Sequence, residues 1–86
     1  MPEVSRFLGI VIGMFFNDHS PPHFHASYGE HEAAVSIGDG LVLWGSLPRR
    51  ALGYVQEWRQ AHVAELEQNW ERARARQRLQ PIRPLE

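Results

Sequence analysis

The chain contains no cysteine and no lysine. Without cysteine no disulfide can brace a small core, so an 86-residue chain that needs reinforcement must find it in a metal or a partner subunit. The same absence fits a reducing compartment, and no basic segment leads into an apolar run with a small-residue cleavage site, so the expected location is cytoplasmic. Long apolar runs are missing too. The longest, Phe7 to Phe16, is ten residues with Gly9 and Gly13 inside it, far short of the ~20 a membrane-spanning helix requires. No membrane association is expected, and a chain of this length predicts a single domain over residues 1–86.

Since lysine is absent, every cation is arginine, a side chain suited to bidentate contacts with carboxylate or phosphate. An arginine-biased genome would give the same composition. The charge is uneven: residues 1–71 hold four arginines against nine acids, whereas residues 72–83 hold five arginines and no acid. Arg72, Arg74, Arg76 and Arg78 are therefore candidate binding groups for nucleic acid or an acidic partner, against the plainer reading of a solvated helix end complementing the helix dipole.

The first half of the chain reads as strands. Residues 4–16 are β-branched and aromatic, with Leu8, Ile10, Ile12, Met14 and Phe16 on one face of a single central strand and the glycines marking a close approach on the other. Pro21-Pro22 ends the following loop, and His23 to Tyr28 alternates with Phe24, Ala26 and Tyr28 on one face and His23, His25 and Ser27 on the other. Glu32 to Ile37 and Leu41 to Trp44 complete an antiparallel meander of four strands over residues 1–46, with Gly38-Asp39-Gly40 as a hairpin turn. Ser46 then caps a helix predicted over 47–78, whose apolar positions run from Ala51 through Trp58 and Leu66 to Trp70 and Ala73. A straight helix of that length would exceed ~40 Å, so it must bend, break near Ala61 to Val63, or project. Residues 79–86 form an extended tail that either folds back or awaits a partner. The expected class is α+β: a small four-stranded antiparallel sheet packed against one long C-terminal helix.

One stretch carries an unusual density of chemistry. Asn17-Asp18-His19-Ser20-Pro21-Pro22-His23-Phe24-His25 packs three of the five histidines, an Asp and an Asn into nine residues. On a strand, His23 and His25 leave the same face with about 6.5–7 Å between their Cα atoms. The rigid Pro-Pro loop can bring Asp18 and His19 back over that face, where a carboxylate fixes an imidazole's tautomer and raises its basicity. Three readings follow. In the first, His23 and His25 are a general acid and base supported by Asp18 and His19, with Asn17 and Arg6 as binding groups and Arg6 on a phosphate, the arrangement a metal-independent ribonuclease needs. In the second, His19, His23, His25 and Asp18 hold a divalent transition metal. In the third, the rings only hydrogen-bond loop carbonyls. His62, on the helix stripe, reads as packed or capping, and His31 and Glu30 as solvated turn residues.

The opening Met-Pro-Glu-Val-Ser-Arg-Phe-Leu-Gly-Ile, the Phe-Asn-Asp-His-Ser-Pro-Pro-His-Phe-His block, Gly-Ser-Leu-Pro-Arg-Arg-Ala-Leu before the helix, and Glu57-Trp58 with Asn69-Trp70 together resemble a bacterial domain-of-unknown-function family, number 4160. The resemblance covers the whole chain. It implies one half of a two-gene operon, a toxin of a type II toxin–antitoxin pair with a small antitoxin-like partner, in a bacterial cytoplasm. It supplies no catalytic residues. The family pattern carries lysines and acids near the helix C-terminus, where this chain has arginines alone. The expected function is a toxin acting on RNA by histidine acid/base catalysis. The rival is a non-enzymatic module, with or without a bound metal, whose open sheet face and arginine-rich tail bind a partner protein or nucleic acid; a homodimer is also open.

Overall fold

The computed structural model describes residues 2–86. Five strands form one antiparallel sheet in the order of the chain: β1 (Glu3–Phe7), β2 (Ile10–Gly13), β3 (His23–Tyr28), β4 (His31–Ser36) and β5 (Val42–Ser46). Two helices follow, α1 (Arg49–Ala61) and α2 (Val63–Arg74). The α+β class and the meander hold, but the sheet has five strands where four were expected, and two helices stand in place of one.

The extra strand arises because residues 4–16 fold as a hairpin. Phe7 pairs with Ile10, and the two residues between them, Leu8 and Gly9, both have positive φ (51° and 79°), the conformation of a tight hairpin turn whose twist matches the strands. Glycine reaches it freely and leucine rarely does, so Leu8 hid the turn. The expected inward face survives at Ile10, Ile12 and Met14, all fully buried, while Leu8 and Phe16 are exposed. Gly9 is also closely approached: a Cβ there would stand 3.3 Å from Cε1 of Tyr28.

The helix breaks where its length required it to. The molecule measures 33 × 26 × 22 Å, too short for an unbroken helix over residues 47–78. His62 leaves the helical region (φ −134°, ψ 24°), its amide bonds the Arg59 carbonyl at 2.9 Å, and α2 restarts with Leu66 N–H on the His62 carbonyl. No Gly or Pro marks the place. Ser46 belongs to β5 and pairs with Glu32, so the predicted cap is not made; Pro48 occupies the N-cap without a side-chain bond. The helix also ends at Arg74, four residues early.

One face of the sheet packs on the helices, with Trp58 against Phe7 and Phe24 at ring-centre distances of 5.5 and 5.8 Å. The tail folds back. Asn69, fully buried, receives the Gln80 amide (2.9 Å) and donates to its carbonyl (2.8 Å), Trp58 Nε1 donates to the Arg83 carbonyl, and Ile82 N–H bonds Val4 on the outer side of β1. No helix among the described residues is long and apolar enough to cross a membrane.

Arg59 is buried, makes no ion pair among the described residues, and is used on carbonyls. Its Nη1 donates to Ile37 O at 2.9 Å and its Nε to Gln56, which in turn holds Gly40 O, so the two side chains clamp the β4–β5 turn. Arg59→Met keeps the aliphatic stem and strands those acceptors; the expected cost is about 1.5–3 kcal/mol, read as a lower urea midpoint at unchanged m-value.

Candidate functional site

The site is assembled on the sheet face turned away from Trp58. Residues Gly13, His25, Ala34 and Trp44 lie opposite one another across β2 to β5. Glycine and alanine on either side of His25 leave space over the sheet, and aromatic rings occupy it. Phe15 meets His25 edge-on at 4.7 Å and Trp44 lies 5.6 Å from it. His23, one step along β3, packs on Trp70 of α2 at 5.2 Å and on His25 at 5.1 Å. These neighbours bury both imidazoles, to 3% exposure for His23 and 4% for His25.

The loop from Met14 to Pro22 folds over this face and is tied at three points. Met14 N–H bonds Pro2 O, Asn17 N–H bonds Ala73 O at the end of α2, and the Pro22 carbonyl accepts from Ile37 N–H. Asn17 has φ 55°, a left-handed conformation that asparagine tolerates. Thus anchored, the loop aims Asp18 at the histidines: its Oδ2 lies 2.9 Å from His23 Nε2 and 3.4 Å from His25 Nε2, and its Oδ1 accepts from His19 N–H at 2.9 Å. Desolvation pushes the Asp18 carboxyl upward, but the His19 amide, the His25 ring and the charges of His23 and His19 outweigh it, leaving the group below the ordinary carboxylate range. Asp18 is therefore an anion.

His23 Nδ1 faces the Pro21 carbonyl at 2.7 Å, which makes it the donor nitrogen. His25 Nδ1 has no hydrogen-bond partner among the described residues and lies 3.6 Å from Glu32 Oε2. His19 differs from both. Its side chain is 85% exposed, with Nε2 3.8 Å from Asp18 Oδ1.

The structure thus brings Asp18, His23 and His25 into one cluster, with His19 at its mouth. Asn17 anchors the loop through its backbone. Arg6 shares the face, opposite Val11 and one residue pair along from His25, but lies two strands away with its guanidinium on Glu3 at 2.8 Å. Arg72 donates to Asn69, while Arg74, Arg76 and Arg78 are exposed beyond the turn that holds Asn17. Glu32, Phe15 and Trp44 are site neighbours that reading the histidine block alone does not find. Strand register is the signal for two of them, since Glu32 pairs with Ser27 and Trp44 shares a row with His25.

The model of one family, described as a domain of unknown function (DUF4160), matches residues 9–71. The chain belongs to the DUF4160 family. The match contains the whole Asp18 cluster, its loop and Trp70, and leaves out β1, the arginines from Arg72 onward and the tail. No curated protein and no solved structure matches the chain.

Proposed function

We propose that this DUF4160 chain is the toxin of a bacterial type II toxin–antitoxin pair and acts on RNA at the Asp18 cluster. The observation that carries this reading is the exposed His19 imidazole 3.8 Å from an ionised carboxylate. In this reading His19 is the group that exchanges a proton with the RNA, because a polymer can reach it. Asp18 lies beside it, with Oδ1 3.8 Å from Nε2. His23 and His25, sealed under aromatic rings, hold Asp18 in place and do not touch the substrate. The roles expected from the sequence are thereby exchanged.

Two further features support RNA as the substrate class. Arg74 and Arg76 follow the helix turn bonded to Asn17, and so supply cations beside the loop. Phe15 and Trp44 present half-exposed rings on either side of the cluster, the kind of surface on which unpaired bases stack. The setting is the cytoplasm, with a small antitoxin-like protein as inhibitor. Induced expression of the wild type is expected to arrest growth, and His19→Ala to relieve the arrest without lowering the melting temperature. Purified His19→Ala should cleave RNA about 10²–10⁴-fold more slowly than wild type. Equal arrest by both proteins would remove His19 from the chemistry.

A second reading, a non-enzymatic partner-binding module, is favoured by β5. The β1 edge is covered in part by the tail, but β5 is an outer strand whose Val42, Leu43 and Trp44, like Leu41 just before it, are exposed and uncharged. Such an edge accepts a strand from another chain, here the antitoxin-like partner. If Leu43→Lys abolishes binding of the purified partner while growth arrest persists, the edge serves inhibition alone; a concentration-dependent dimer of the wild type lost in Leu43→Lys would make the occupant a second copy.

A further inference from the structure

We propose that Asp18, His23 and His25 are the three protein ligands of a divalent transition-metal ion, with the remaining coordination position open toward His19. The proposal concerns the same side chains as the RNA reading but does not depend on RNA being the substrate.

An imidazole has two ring nitrogens, and in its neutral form one donates and the other accepts. His23 Nδ1 donates to the Pro21 carbonyl at 2.7 Å, so in the neutral ring Nε2 has its lone pair aimed at Asp18 Oδ2 from 2.9 Å. A lone pair facing a carboxylate oxygen repels it unless something positive, a second ring proton or a metal ion, lies between them. The same difficulty recurs at His25. If its Nε2 carries the proton toward Asp18, its Nδ1 lone pair is buried, unpartnered and directed at the Glu32 carboxylate 3.6 Å away. If instead Nε2 is the bare nitrogen, Nδ1–H faces Glu32, but then two lone pairs and a carboxylate converge on one point.

A cation at that point resolves both rings together. Each histidine would bind it through Nε2 and donate its Nδ1–H outward, His23 to the Pro21 carbonyl and His25 to Glu32, which is how metal-bound histidines are ordinarily oriented by their outer partners. The geometry is compatible. One donor atom from each of the three residues lies within 4.8 Å of the other two, and ligands about 2.0–2.2 Å from a tetrahedral ion stand about 3.3–3.5 Å apart, so the 2.9 and 3.4 Å separations need only small movement. Two imidazoles with one carboxylate suit zinc, iron, cobalt or manganese better than calcium or magnesium, which prefer all-oxygen sites. Three protein ligands with one open position is the pattern of a site that holds a water or a substrate atom, as opposed to a closed structural site. Phe15, Trp44 and Trp70 wall the cluster on its other sides. A bound divalent ion would also offset the Asp18 and Glu32 carboxylates, removing the local negative charge that repels phosphate.

The test uses the full chain, stripped with a chelator, dialysed, and titrated with Zn(II) by calorimetry and with Co(II) by visible absorption. The expected result is one ion per chain and the intense Co(II) bands of a four-coordinate nitrogen and oxygen site. Asp18→Asn, His23→Gln and His25→Gln should each lower affinity more than ~100-fold, and Glu32→Gln by ~10–100-fold as the loss of an outer partner. His31→Ala and His62→Ala should leave binding unchanged. Circular dichroism of each stripped protein separates loss of the site from loss of the fold. Binding by folded wild type that is no tighter than binding by folded Asp18→Asn would overturn the proposal, as would binding abolished by His31→Ala or His62→Ala. Growth arrest that survives with no metal bound would sink this inference and leave the RNA reading intact; one ion bound with no arrest would do the reverse.

Discussion

Trp58→Ala is expected to destabilise the domain by about 3–5 kcal/mol, the usual cost of emptying a buried aromatic site. The side chain is fully buried and packs on Phe7 of β1, Phe24 of β3 and His62 at the helix junction, with ring-centre distances of 5.5, 5.8 and 5.5 Å. It therefore ties three parts of the fold together, and its Nε1–H on the Arg83 carbonyl ties a fourth, the tail. Small domains have about 5–15 kcal/mol in total, so one substitution consumes much of it. The thermal midpoint should fall by on the order of 20 °C. Trp58→Phe isolates the polar part: it keeps most of the ring packing, loses the bond to Arg83, and should cost about 1–2 kcal/mol by circular dichroism. A loss below 1 kcal/mol for Trp58→Ala would mean that the helices do not depend on this contact.

Asp18→Ala is expected to act on both stability and function. It removes the shared acceptor of His23 and His25 and the cap on His19 N–H, at a cost of about 1.5–3 kcal/mol. Amide exchange at Asn17 and His19 should quicken as the loop loosens. Growth arrest and metal binding should both disappear. Asp18→Asn separates the two effects, because its side-chain NH₂ can donate to the bare His23 Nε2. It should therefore retain most of the stability while losing the anion, and with it the arrest and the ion. Retention of full growth arrest by Asp18→Asn would show that the carboxylate charge has no part in the activity.

Much of the sheet could be read directly from alternation. From His23 onward, the inward turn of Phe24 and Ala26, the opposite direction of His23 and His25, and the Gly38-Asp39-Gly40 turn all stand as expected, since each depends on neighbours two or three residues away. The Leu8-Gly9 turn was hidden because leucine at positive φ carries no local signal. The break at His62 was legible only as a length conflict between the helical stripe and the size of the domain. Of the two residues that the Pro-Pro loop is expected to return over the histidines, Asp18 reaches them and His19 stays in solvent.

The accessibility of each histidine was not legible. His19, His23 and His25 are the same residue type within seven positions, yet one is solvated and two are sealed. The inventory of groups at the site, the face they leave and the loop that returns to them depend on residues adjacent in the chain, and short-range geometry is enough to specify those. Burial depends on Phe15 from the loop, Trp44 from β5 and Trp70 from α2 meeting over β3. That meeting requires strand register and helix placement set by contacts among residues far apart in the chain, so only the folded arrangement determines which imidazole reaches solvent and which two hold the carboxylate.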